Sequence, residues 1–365
     1  MVRTTIALLM SLAFAPAALA QSGDWQKQWD ETLAAAKKEG KVVVVGSPDP
    51  VMRNEIIPRF TKQFGIQVEF LAGRSSQTIG RIRMERTSGL HLVDVFMAGA
   101  GTTFYSLLPE KMIDPLKPLL MTPEVTDAGK WKRGKPWFAD AEEQYVLVLF
   151  SSVESLLMIN AAYVRPEEIR SVQDLINPKW KEKISAEDPK AEGNTGAGMA
   201  LHWLNELGPN YLAKLYVEQK HFLSKDRRQM MDWLARGSHP ICLSCKIEGA
   251  NELTKEGFKL QEVFDIEGIR NRVTASPFLL SFANKSPHPN AARVFVNWIA
   301  GKEALEIYSR ENGTATLRTD VDESFLDPRV IPRPGVSYFE AIDAKWIASG
   351  RLEAAEKMQE ALKSR

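Results

Sequence analysis

The chain has 365 residues, more than a single hydrophobic core usually serves, so two lobes of ordinary domain size are expected. Its 47 Lys and Arg balance 46 Asp and Glu to a formal charge of +1, which offers no basic stripe for nucleic acid or an anionic membrane. Recognition must therefore be local, and the expected partner is a small molecule.

The first element reads as an export signal. Arg3 supplies a positive start, Ile6 to Ala18 is apolar apart from Ser11 and Pro16, and Ala18-Leu19-Ala20 places small residues where a signal peptidase cuts. Residues 1–20 are therefore expected to be removed and the mature protein released into the periplasm. A membrane-spanning helix needs about 20 apolar residues, and this run is interrupted at Pro16 and ends at Gln21. No cysteine stands at the cut to carry a lipid.

Asp24 is suited to cap a helix with Trp25, Trp29, Leu33 and Ala36 on one face and Gly40 as its stop. Val42 to Val45 follow, β-branched and continuously apolar, as in a parallel strand covered on both faces. After the loop Ser47-Pro48-Asp49-Pro50, a helix to Phe64, a strand Ile66 to Leu71, a helix opening at Ser75 or Ser76, and a strand Val93 to Ala98 repeat the cycle. This alternation predicts an α/β fold with a doubly wound sheet, whose ligands gather outside the carboxyl ends of the strands.

The middle of the chain repeats the logic. Tyr145 to Phe150 and Ser155 to Ile159 read as crossing strands, and Asn194 or Thr195 as the cap of a helix carrying Trp203. A helix from Arg227 to Ala235, a strand Pro240 to Leu243 and a helix Ile247 to Lys255 follow. Near Pro277 an apolar strand returns, and after Pro289 the chain reads as almost all helix. The lobes are expected at 21–150 plus 275–365 and at 151–274, joined by crossing strands.

The cysteines, Cys242 and Cys245, have a spacing that allows a disulfide, a thiol redox pair or half a metal site. Spacing alone does not choose among them.

Three segments carry a family resemblance: Asp174 to Ile184 with Asp188-Pro189, Ser286 to Arg293 with Phe295 and Trp298, and Gly73 to Asp94 with Arg81 and Glu85. In their order along the chain they resemble the periplasmic binding proteins of ABC importers, in the branch of ferric-ion, phosphonate, thiamine and sugar-phosphate receptors. The resemblance implies two α/β lobes that close on a ligand and a permease with its ATPase as partner; a monomer without cofactor or catalysis is expected. The first lobe would then offer Ser47, Arg74, Ser75, Ser76, Ala100 and Thr102, and the second Asn194, Thr195, Gly196, Cys245 and Lys246. Ser47 and Ser75 serve equally well as helix caps, and Arg74 and Lys246 as solvated charges.

Ferric receptors of this branch carry adjacent tyrosines, since hard Fe(III) favours phenolate oxygens. No such pair occurs here, and Cys245-Lys246 stands near the corresponding place. Arg74, Lys246 and the helix start at Asn194-Thr195 are compatible with a carboxylate, phosphonate or sugar phosphate. Tyr105, Tyr145, Tyr163 and Tyr308 are read as half-buried aromatics with hydroxyls at the surface. The rival readings are an iron or iron-chelate receptor and a periplasmic thiol redox protein using Cys242 and Cys245. Motifs for a nucleophile elbow, a zinc helix or a phosphate loop are absent from the sequence, and no metal site is expected.

Overall fold

The computed structural model describes residues 18–73, 75–189, 195–245, 253–343, 346 and 351–363. Residues 1–17 of the expected leader lie outside them, as does most of the helix expected at Ile247 to Lys255. The first described helix, Ala18–Glu39, begins before Asp24 rather than being capped by it. Ala18, Leu19, Ala20 and Gln21 favour helix, so the turns run straight through the expected cap. Gly40 ends it as expected, with a φ of 77° that a side chain would resist.

The first sheet is built around the valine strand. Lys41–Gly46 lies between Gln67–Ala72 and Val95–Ala98, all three parallel, and Val42 to Val45 are buried. Leu279–Ala283 returns from far along the chain to run antiparallel beside Val95–Ala98, and Leu147–Val148 and Trp137–Phe138 extend the sheet. The second sheet has Ile241–Cys242 at its centre. Ile184–Glu187 runs parallel to it on one side and Leu157–Asn160 antiparallel on the other, with Phe222–Ser224 and Leu260–Val263 at the edges. Each sheet has its own apolar core, one around Phe60, Phe96 and Phe295, the other around Trp203, Leu212 and Tyr216. The architecture is two α/β lobes.

The lobes are joined by a third, small sheet. In it Ser152–Glu154 pairs antiparallel with Arg272–Thr274, which pairs parallel with Phe339–Glu340. The crossing strand is therefore Ser152–Glu154, between the two stretches expected to cross. Those stretches belong to the lobe sheets instead, because their uninterrupted apolar side chains need cover on both faces, whereas a connector beside a cleft tolerates Ser and Glu.

The tail also differs from expectation. Helices Pro289–Ile299 and Lys302–Asn312 form, but from Gly313 to Asp343 only the short turn Pro328–Val330 and the strand Phe339–Glu340 are regular. Pro328, Pro332 and Pro334 remove the amide donors a helix would need. The last helix, Arg351–Ala361, packs on Thr195–Ala213, and its Ala354 and Met358 join the second core, as does Leu362 just beyond it. Among the described residues no helix is long and apolar enough to cross a membrane.

Candidate functional site

A cleft of about 520 Å³ opens between the lobes where the strand-end loops converge. Its first-lobe wall comes from the turn after Lys41–Gly46 and the turn after Val95–Ala98; its second-lobe wall comes from the first turns of Arg227–Arg236 and the segment Ser244-Cys245. The joining sheet supplies the floor through Glu154, Arg272 and Thr274. A strand end exposes few side chains of its own, so the loops and the connector decide the chemistry.

Of the residues expected to bind, Ser47, Ala100, Thr102 and Cys245 line this cleft. Ser75 and Ser76 open the helix Ser75–Thr87, and Thr195 and Gly196 open the helix Thr195–Ala213. Gly198, in the opening turn of the latter, also lines the cleft. Arg74, Asn194 and Lys246 lie outside the described residues.

The charged groups of the cleft were not singled out from sequence. Arg272 opens the strand Arg272–Thr274 and forms an ion pair with Glu154 directly across the ladder; the two side chains are only 12% and 17% exposed. The guanidinium also lies against the helix Thr195–Ala213, where a Cβ on Gly198 would stand 3.0 Å from Arg272 Nη2. Arg227 follows the helix cap Asp226 and reaches Glu187 at 3.5 Å. Asp226 accepts from the amides of Arg228 and Gln229, which aligns the helix and sets Arg227 on the cleft side.

Asp49 is the charged group of the first-lobe wall. Its Oδ1 accepts from the Val51 and Met52 amides at 2.9 and 3.2 Å, and its Oδ2 accepts from the Tyr308 hydroxyl at 3.1 Å. Burial raises its carboxyl above the usual range, outweighing these hydrogen bonds. Tyr308 is thus fully buried and committed to Asp49, not half-buried with its hydroxyl at the surface as expected. Its position under the strand-end loop puts the phenol against apolar neighbours, where its hydroxyl meets the Asp49 carboxylate and, at 3.7 Å, the Met52 sulfur. The loop rule for doubly wound sheets points at Asp49, whereas Arg272 and Glu154 sit on strands and carry no local signal.

The cysteines form a disulfide, Cys242 buried and Cys245 at the cleft edge. It closes a turn that is pinned to the neighbouring strand: the Leu243 amide donates to Ser185 O at 3.0 Å, and Ser244 Oγ accepts from the Glu187 amide at 2.6 Å. The bond commits both sulfurs and so is at odds with half a metal site; it is equally the form of a structural disulfide and of an oxidised thiol pair. Among the described residues no tyrosine lines the cleft, and no group of three or more His, Cys, Asp or Glu could hold a metal ion.

A family model for bacterial extracellular solute-binding proteins matches residues 46–306. Among curated proteins, iron uptake protein A1 of Synechocystis is 23% identical over 141 residues, which are 39% of this chain and 36% of that protein. The match thus spans about a third of the relative's length. Among solved structures, the AfuA periplasmic binding protein of Actinobacillus pleuropneumoniae, with fructose 6-phosphate bound, superposes with a TM-score of 0.68 at 16% identity, covering 89% of this chain and 99% of that one. Iron-bound HitA of Pseudomonas aeruginosa gives 0.64 at 15%, covering 88% and 99%. A Trichodesmium protein in complex with iron and citrate gives 0.62 at 18%, also covering 88% and 99%. At these identities the likeness is one of fold.

Proposed function

The chain belongs to the bacterial extracellular solute-binding protein family, and we propose that within it this protein is the receptor of an ABC importer, capturing a small organic anion between its lobes and delivering it to a permease with its ATPase. The observation that carries this reading is the cleft face of the strand Arg272–Thr274. Residues 272 and 274 point to the same side of a strand, both line the cleft, and Arg272 Nε and Thr274 Oγ1 are buried without a hydrogen-bond partner among the described residues. A buried donor left unpaired costs about 1–3 kcal/mol. A carboxylate or phosphate oxygen is the acceptor that a guanidinium pairs with best, and Arg227 adds a second cation to the wall.

Export by removal of residues 1–20 would deliver the receptor to the periplasm, where it acts as a monomer. The lobes divide at about 150 and 275, with the final helix docked back onto the second lobe. A ferric chelate is a second reading, favoured by the structural relative that holds iron together with citrate, because citrate is itself an anion of the proposed class. Bare ferric iron is not supported, since the described lining offers no phenolate pair.

Calorimetry on the mature chain with fructose 6-phosphate, citrate and ferric citrate tests this, alongside the double variant Arg272→Met with Glu154→Gln, which leaves no unpaired buried carboxylate. An anion that binds the parent should lose about 10- to 100-fold in affinity for the double variant. Unchanged affinity, or a visible charge-transfer band with Fe(III) alone and no response to any anion, would sink the proposal.

A further inference from the structure

We infer that the captured anion carries a flat apolar body, so that the substrate class is an aromatic carboxylate; this rests on the anion reading above and narrows it. The cleft is chemically lopsided. Its described cations, Arg227 and Arg272, stand on the second lobe and the joining sheet, while Pro48, Pro50, Phe70 and Ala100 make an apolar surface on the first lobe. Across from them the second lobe adds Met230, Met231 and the Cys245 end of the disulfide.

Two polar side chains of the walls are committed to the protein itself, whereas Ser47, Thr102, Ser276 and Asn312 also line the cleft. Asp49 is held by two backbone amides and Tyr308, and Ser244 by the Glu187 amide. A sugar brings several hydroxyls, each needing a partner once water is expelled, and the stretch formed by Pro48, Pro50, Phe70, Met230 and Met231 has no side-chain donor or strong acceptor to offer them. A ring loses nothing by entering such a slot. One face stacks on Phe70, the unbranched thioether of Met231 adapts to its outline, and a carboxylate at one end reaches the guanidinium groups. The cavity volume of about 520 Å³ accommodates a molecule of this kind with room to close, and is far larger than a lone ion requires.

The test uses 4-hydroxybenzoate, phenylacetate and cinnamate against fructose 6-phosphate and citrate, with benzyl alcohol as the uncharged control, on the mature chain by thermal shift and calorimetry. At least one aromatic carboxylate should bind, with fructose 6-phosphate, citrate and benzyl alcohol all weaker. Met231→Gln should weaken aromatic binding roughly five- to tenfold, and Met231→Leu should restore it. Binding of fructose 6-phosphate or citrate without any aromatic carboxylate overturns this inference and leaves the anion reading intact. Benzyl alcohol binding as tightly as the carboxylates overturns the anion reading itself, and binding of none of the six overturns both. Aromatic binding unaffected by Met231→Gln overturns the placement of the ring.

Discussion

At the scale of single residues, Gly198 sets where the Arg272 guanidinium lies. The helix Thr195–Ala213 passes so close that a methyl group at 198 would stand 3.0 Å from Nη2, inside ordinary contact distance, and the guanidinium rather than the helix backbone would have to yield. Gly198→Ala is expected to weaken binding more than folding. Replacing glycine inside a helix stabilises it by about 0.5–1 kcal/mol, which offsets part of the cost of disturbing the Arg272–Glu154 pair, so unfolding in urea should shift little, while affinity for the ligand falls roughly tenfold as Arg272 leaves its position. Equal affinity in the two proteins would show that the guanidinium does not depend on this contact. The sequence discloses little of this. Ser47, Ala100, Thr102 and Cys245 are legible because they occupy strand-end loops, but Arg272 meets Glu154 from 118 positions away, and no local pattern records such a pairing.

At the scale of elements, the strands and helices of the first 100 residues are legible because each has a period and a stop of its own: four buried valines, then Gly65 closing Ile57–Phe64, then the apolar Val95–Ala98. Docking partners are not legible. The final helix could cover either lobe as far as its sequence shows, and chain order alone would assign it to the first. Instead Ala354, Met358 and Leu362 complete the second core against Thr195–Ala213. Fully burying a Met or Leu side chain is worth about 1.5–3 kcal/mol, so deleting residues 351–365 should destabilise the protein by several kcal/mol and lower its urea midpoint, with the second-lobe Trp203 becoming solvent-exposed first by fluorescence. An unchanged midpoint would mean that the helix is a passenger on the second lobe.

At the scale of the whole molecule, alternation of strand and helix predicts two doubly wound lobes, but not that Leu279–Ala283 inserts beside Val95–Ala98 or that the lobes meet through three short strands. Those depend on which distant edges find each other. His202 lies at one such meeting place, fully buried in the helix Thr195–Ala213 and stacked on Phe339 of the joining sheet with ring centroids 4.7 Å apart. Burial, and after it the nearby charge of Arg272, pushes its imidazole down to about 3, against the smaller opposing pull of Glu206, the Arg270 backbone and Glu154. The unfolded chain takes up this proton near pH 6.5, whereas the native state refuses it until about 3. The contribution of a neutral His202 is therefore fully present above pH 6.5 and is lost progressively as pH falls from there toward 3, at about 1.4 kcal/mol per pH unit. Carboxylates with lowered values, Glu206 among them, cost stability mainly below about 5, and Asp49, whose value burial raises, is common to parent and variant, so the difference between the two proteins from 6.5 to 5 isolates the His202 imidazole. His202→Phe keeps the stack on Phe339 and removes the titration. Its unfolding free energy should decline less steeply than the parent's between pH 6.5 and 5, measured by urea denaturation at each pH. Parallel curves for the two proteins would place the acid sensitivity elsewhere, and would mean that the contact between the second lobe and the joining sheet tolerates a charged ring.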